Sequence, residues 1–254
     1  MLYLIGLGLN EKGCSREAIL AIKKCDSLYL EGYTVDFPYS IEDLEKELGR
    51  KVQVINRTEV ESNFLIKEAK TKKIGLLVYG SPLFATTHMT LLQDAKTSKV
   101  KTQIIYNASV FDAVLETGLH AYKFGKIASL PAWKGDYRPM SFVDLIFENQ
   151  SIGAHSLILV DIGMSLGEAL RQLEQAFRAK KLGANKLVLC SRLGTSKSKI
   201  CYDSIKNLSE NKKVKKPFCF IVLGKLHFSE EEFLKFSKKS APFKGRMNCV
   251  LVTP

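Results

Sequence analysis

Between Tyr79 and His88 the chain reads Tyr-Gly-Ser-Pro-Leu-Phe-Ala-Thr-Thr-His, directly after the apolar run Ile74 to Val78 and before the amphipathic Met89 to Leu92. A loop at the carboxyl end of a buried strand is where open α/β sheets meet small molecules. A Gly-x-Pro turn followed by hydroxyl and imidazole side chains offers donors to a polar ligand. The same residues also read as a plain strand-to-helix connection in which Thr86 or Thr87 caps the next helix. A second small-residue turn, Gly6-Leu7-Gly8, follows the first apolar run. It misses the dinucleotide fingerprint Gly-x-Gly-x-x-Gly, because Glu11 stands where the third glycine belongs and the next glycine is Gly13. Gly125-Lys126 likewise fails as a phosphate-binding loop, since Ile127 follows and the spacing back to Gly118 is wrong. What survives is a turn where small residues let the backbone approach a ligand, or simply a tight turn.

The elements that carry these loops alternate. Strand-like runs at Leu2–Ile5, Leu28–Leu30, Val52–Ile55, Ile74–Tyr79 and Gln103–Tyr106 are separated by helical stretches, the pattern of βαβ units and a mainly parallel sheet. Further runs follow at Ile127–Leu130, Ser156–Val160, Leu187–Cys190, Phe218–Leu223 and Met247–Val252. Ser15 opens one helix, and Ser40 with Asp43 opens another that Gly49 closes. Ser165-x-x-Glu168 is a capping box ahead of one apolar stripe, Leu166, Ala169, Leu170, Leu173, Ala176 and Phe177, which reads as core packing. Pro131 to Pro139 is an irregular loop whose lone tryptophan, Trp133, is a loop anchor or part of a partner surface. The pattern predicts two α/β domains joined near Phe111, spanning 1–111 and 112–254.

Composition bounds the function classes. With 254 residues, 46% hydrophobic and 25% charged, the chain can bury a substantial core. No apolar run reaches the ~20 residues of a membrane span and no secretory leader is visible, so the expectation is an unexported cytoplasmic protein without membrane contact. Six cysteines, Cys14, Cys25, Cys190, Cys201, Cys219 and Cys249, show no Cys-x-x-Cys pair and read as small core residues of a reducing compartment. Four histidines lack ligand spacing, so no metal is expected. A net charge of +12 favours anionic partners. Its lysines lie in short clusters (Lys70, Lys72, Lys73; Lys197, Lys199; Lys212, Lys213, Lys215, Lys216) without interleaved aromatics. They read as solvated surface or as a surface steering an acidic protein substrate, and nucleic acid is not required.

Taken in order, Leu4-Ile5-Gly6-Leu7-Gly8-Leu9, Gly80 to His88, Asn107-Ala108-Ser109-Val110, Thr117 to Lys126, His155 to Ile162 and Gly224-Lys225-Leu226-His227 resemble the diphthine synthases. These are a branch of the tetrapyrrole-methylase-like, S-adenosylmethionine-dependent methyltransferases. The similarity runs from Met1 to about residue 230, with a short linker between Ile162 and the helix near Ser165. It implies a Rossmann-like amino-terminal domain, a second mixed-sheet domain, a ligand cleft between them and a homodimer. It further implies S-adenosyl-L-methionine as methyl donor and translation elongation factor 2 as substrate. The acceptor would be the amino group of a 3-amino-3-carboxypropyl arm on histidine, methylated repeatedly to a trimethylammonium or further to a methyl ester.

Carried over residue by residue, the cofactor contacts implied are Leu9, Ser81, Phe84, Ser109, Val110, Val160, Leu193 and His227. The apolar members would enclose adenine and ribose, while Ser109 and His227 would supply hydrogen bonds. Core packing is the competing reading for the apolar members, most of all for Val160, and a surface or core role for His227. Arg192 and Asp161 end strands and are left unassigned, and no general base can be named. Ser81 departs from the family's Gly-Asp-Pro and brings no carboxylate to offset a sulfonium or amino group. Charge-assisted hydrogen bonds contribute roughly 1.5–3 kcal/mol against about 1 for neutral ones, so a tenfold loss of affinity is in range. Two other functions stay open: a tetrapyrrole methyltransferase of the same fold, and a non-catalytic basic binding protein on this scaffold.

Overall fold

The structure, a computed structural model, describes residues 1–184, 186–210, 214–239 and 249–251. It divides into a unit of Met1–Ala113 and a second unit beginning at Val114. In the first, strands β1 (Leu2–Gly6), β2 (Ser27–Glu31), β3 (Gln53–Ile55), β4 (Ile74–Val78) and β5 (Thr102–Ile105) form one sheet in the order β3-β2-β4-β1-β5. Every pairing is parallel. The central strands β1 and β4 are buried at every residue, as unbroken apolar runs covered by helices on both faces should be.

Helix starts follow the sequence signals. Ser15 Oγ accepts from Ala18 N at 3.1 Å, Ser40 Oγ accepts from Asp43 N at 3.1 Å, and Gly49 ends the second of these helices at φ 63°. Leu2, Leu4, Leu76, Val78, Leu65 and Leu91 fill one side of the sheet. Tyr3, Ile5, Leu77, Ala18, Ile22 and Leu44 fill the other.

The second unit holds β6 (Ala128–Leu130), β7 (Ser156–Val160), β8 (Lys186–Ser191), β9 (Lys199–Ser204), β10 (Phe218–Val222) and β11 (Cys249–Leu251), in the order β11-β9-β8-β10-β7-β6. Only β6 and β7 pair in parallel; the other pairings are antiparallel. The Ser165 and Glu168 capping box is formed, with Ser165 N donating to Glu168 Oε2 at 2.8 Å, and Ala169, Leu170, Leu173, Ala176 and Phe177 behind it enter the core. Trp133 is a loop anchor: it packs on that core and its indole donates to Pro139 O at 3.2 Å. The two units are thus α/β with a parallel and a mixed sheet, as the alternation of runs predicts.

Three sequence expectations change. β9 was absent from the predicted strands, because Lys-Ile-Cys-Tyr-Asp-Ser is not an apolar run. Lys199, assigned to an exposed cluster, instead opens this strand half-buried. Cys201, whose Cα partner across β9 and β11 is Cys249, is disulfide-bonded, whereas Cys14, Cys25, Cys190 and Cys219 are free thiols. No Cys-x-x-Cys spacing marks Cys201, so its disulfide is not legible in the local sequence. Lys212 and Lys213 of the basic cluster, and Met247, Asn248 and Val252 of the last predicted run, lie outside the described residues. No described helix is long and apolar enough to cross a membrane.

Candidate functional site

The parallel strands β4, β1 and β5 are neighbours, so the loops that follow them leave the same edge of the first sheet. Glycine lets them touch. Gly8 N donates to Gly80 O at 3.2 Å and Gly80 N to Gly8 O at 2.9 Å, an isolated backbone bridge with both glycines at φ 72°. A Cβ on Gly6 would lie 2.7 Å from Gly80 O, 2.9 Å from Asn107 Cβ and 3.0 Å from Pro82 Cδ, so only glycine fits between the three loops. Asn107 closes the arrangement by donating to Gly6 O at 3.1 Å and Gly13 O at 2.9 Å. Tyr79 donates to Leu9 O at 3.1 Å.

Five of the expected contact residues are brought to this edge: Leu9, Ser81, Phe84, Ser109 and Val110. Leu9 is buried, while Ser81, Phe84 and Val110 are half-exposed. Ser81 Oγ makes no hydrogen bond to a described residue, so its donor and acceptor remain for a ligand; its carbonyl takes Phe84 N at 3.2 Å. The Phe84 ring stacks on Phe111 at 6.0 Å and 22°. Ser109 is committed locally: its hydroxyl donates to Asp112 Oδ2 at 2.9 Å and accepts from Phe111 N at 3.2 Å. Ala85, a residue with a side chain, sits at φ 54°, backbone strain of the kind found at ligand-binding loops.

His88 is no ligand donor. It is 1% exposed, its Nδ1 donates to Pro82 O at 2.6 Å, and its Nε2 meets Glu31 Oε2 at 2.8 Å. Glu31, at the end of β2, is fully buried, and no other described residue hydrogen bonds to its carboxylate. Burial opposes charge on His88, but the Glu31 carboxylate and the Pro82 carbonyl outweigh it and hold the imidazole above its ordinary pKa. A buried ion pair therefore props the carbonyl of Pro82, next to Ser81. The hydroxyls do not cap either: Thr86 donates to Pro82 O at 2.9 Å, and Thr87 at the cap position makes no cap bond.

In the second unit the residues separate. β7 and β8 both run antiparallel to β10, so Val160 and Leu193, which stand at or just beyond their carboxyl ends, share the edge where β10 begins at Phe218. His227 follows the other end of β10 and lies at the opposite edge of that sheet. There its N–H donates to Glu230 Oε2 at 2.7 Å, its Nδ1 contacts Ser229 Oγ at 2.8 Å, and its ring faces His120 at 5.3 Å. Glu230 is a fully buried hub that also accepts from His120 N at 2.8 Å, His155 Nε2 at 3.2 Å and Lys123 Nζ at 2.6 Å. Burial pushes its pKa up, but these donors bring it down to about 2.

Sequence reasoning missed Glu31 and Asn107. Glu31 carried no signal, since it meets His88 only across the fold. Asn107 was quoted in a motif without a role. Ser109-x-x-Asp112 was legible as a helix start and would have committed that serine.

Geometry of this kind fits a small ligand with an apolar ring system and a polar end. Comparison with known proteins narrows it. Residues 1–209 match the model of the Tetrapyrrole (Corrin/Porphyrin) Methylases. The chain is similar to the diphthine synthase of Methanocaldococcus jannaschii, 37% identical over 252 residues, 93% of this chain and 98% of that one. It is also similar to the diphthine methyl ester synthase of Schizosaccharomyces pombe, 42% identical over 165 residues, 64% of this chain and 58% of that one. A crystal structure of diphthine synthase superposes with a TM-score of 0.85 at 35% identity, covering 92% of this chain and 94% of the other.

Proposed function

Because the chain belongs to the tetrapyrrole methylase family, on its diphthine synthase branch, we propose that this methyltransferase uses S-adenosyl-L-methionine to methylate the 3-amino-3-carboxypropyl-histidine of translation elongation factor 2. It acts in the cytoplasm as a homodimer, and its chain divides into two domains near residues 111–112. The observation that carries the reading is the glycine-bridged loop cluster, which presents Leu9, Ser81, Phe84 and Val110 together and leaves Ser81 Oγ free.

Leu9, Phe84 and Val110 would hold the adenosyl part by apolar contact, and Ser81 would hydrogen bond to a polar group. Gly6, Gly8 and Gly80 let the backbone come close, and the Glu31 and His88 pair fixes the Pro82 turn. Ser109 contributes through its backbone, since its hydroxyl is committed to Asp112. Val160 and Leu193 belong to the proposed contact set from the second sheet. His227 does not, because its loop leaves that sheet at the opposite edge and its polar atoms serve Glu230 and Ser229.

When bound, the cofactor supplies a methyl already activated on sulfonium, which a nitrogen lone pair takes in line while the S–C electron pair stays with sulfur. The protein's own work is then alignment and exclusion of water. Each transfer needs the amine as its free base, so a proton leaves it beforehand.

Calorimetry tests the reading: S-adenosylmethionine should give saturable binding that Gly6→Ala weakens, and a nicotinamide dinucleotide should give none. No saturable heat with S-adenosylmethionine, or a stronger response to the dinucleotide, would overturn it.

A further inference from the structure

We propose that Arg192 recognises a carboxylate, the α-carboxylate of an amino-acid-like arm, at the edge of the second sheet where β7 and β8 end. The inference rests on the methyltransferase reading, which brings two such arms: the methionyl end of the cofactor and the carboxypropyl arm of the acceptor.

Arg192 directly follows β8 and precedes Leu193. It is a side-chain-bearing residue at φ 51°, in the left-handed region that L residues enter only when the surroundings hold them there. Two bonds hold it: its backbone N–H donates to Pro217 O at 2.9 Å, and Nε donates to Lys216 O at 3.0 Å. The guanidinium is half-buried, yet no described carboxylate lies within ion-pair distance of it. Asp161, the acidic residue that follows β7 at this edge, is committed to its own loop, accepting from Ala132 N at 3.1 Å and Ile162 N at 3.0 Å.

The guanidinium therefore offers its two Nη groups, four N–H donors in one plane, with no protein partner among the described residues. A planar fork whose base is tethered at Nε is pre-organised for a bidentate carboxylate, and a lysine in its place would lose that geometry. Leu193 and Val160 beside it supply apolar surface, so a ligand with a charged end and an apolar body is matched at both ends.

The experiment compares wild type, Arg192→Met and Arg192→Lys by calorimetry with S-adenosylmethionine and with decarboxylated S-adenosylmethionine, and by acceptor KM at saturating cofactor. If the carboxylate is the cofactor's, Arg192→Met weakens S-adenosylmethionine about tenfold or more, Arg192→Lys weakens it less, and the decarboxylated form binds all three proteins equally. If it is the acceptor's, both cofactor forms bind unchanged and acceptor KM rises by a similar factor, about tenfold, with kcat kept. Loss of affinity for both cofactor forms in parallel would make Arg192 a tether and overturn the proposal, as would no change in any arm.

Should Arg192→Met fail to fold, the wild type still decides. It must distinguish S-adenosylmethionine from the decarboxylated form, or an acceptor with a free carboxylate from its amide. Wild-type methyl transfer with indifference to both would remove Arg192's role and leave the function standing. A wild type that binds no S-adenosylmethionine would remove both.

Discussion

Each unit buries one histidine against one glutamate, and the two pairs are pulled in opposite directions. In the first, among the described residues, His88 and Glu31 have only each other and the Pro82 carbonyl, and the imidazole is held above its ordinary pKa. In the second, burial pushes His155 below its ordinary value; Glu230 opposes this, while Lys123 and His120 add to it. The carboxylate there is already satisfied by Lys123 and two backbone amides, so it has little attraction left for a proton on His155. Gly224 N also donates to His155 Nδ1 at 2.9 Å, which fixes the neutral tautomer. The same residue pair is thus an ion pair under the candidate site and a neutral strut beneath the His227 loop. What decides is the number of competing donors on the carboxylate.

The sharpest way to break this comparison is to remove the hub. Glu230→Ala strands two amides and leaves the ammonium of Lys123 with the Lys225 carbonyl alone, and should lower stability by about 3–5 kcal/mol, read from chemical denaturation. A loss under about 1 kcal/mol would show that water replaces the carboxylate and that the hub is not structural. Glu31→Gln should cost less, about 1–3 kcal/mol, because His88 can shed its proton and keep its bond to Pro82 O. It should also weaken cofactor binding, since the Pro82 turn loses its charged prop. Unchanged affinity would detach the pair from the site.

Proton linkage sharpens the contrast. His88 has a raised folded pKa, so its contribution is complete below the unfolded value and is lost as pH rises through the folded one. Glu230, near 2, contributes fully above the unfolded value of 4.5, and that contribution is lost as pH falls toward 2. Denaturation across pH should therefore show an alkaline loss that Glu31→Gln removes and an acid loss that Glu230→Ala removes. NMR titration should place the His88 midpoint above the ordinary histidine value and the His155 midpoint below it; the reverse order would undo the argument.

The smallest effect concerns position 81. Ser81→Asp places a carboxylate where the hydroxyl is unspent, and should tighten S-adenosylmethionine up to about tenfold without a change in stability. An unchanged or weaker affinity would show a site arranged around serine.

Much of the fold is written in local pattern. Buried parallel strands show as apolar runs, and Ser15, Ser40 and Ser165 mark helix starts that the hydrogen bonds reproduce. Partners distant in sequence were not legible. Glu31 and His88 lie 57 residues apart, and nothing local marks either as half of an ion pair. β9 opens on a lysine and closes on Asp203 and Ser204, with only Ile200, Cys201 and Tyr202 between, too short an apolar stretch to stand out as a strand. His227 shows the limit for the site: the sequence marks its loop as following a strand, but not that β10 runs antiparallel to β7 and β8. That one reversal sends the loop to the opposite edge.

The central claim is methyl transfer itself. Wild-type protein incubated with labelled S-adenosylmethionine and elongation factor 2 carrying the unmethylated 3-amino-3-carboxypropyl histidine should place label on that residue alone. Mass spectrometry of the peptide then counts the methyl groups and separates amine from ester. Label on the modified histidine, abolished when the carboxypropyl arm is absent, is the expected result. No incorporation by a protein that binds the cofactor would contradict the account and leave a binding protein on a methyltransferase scaffold.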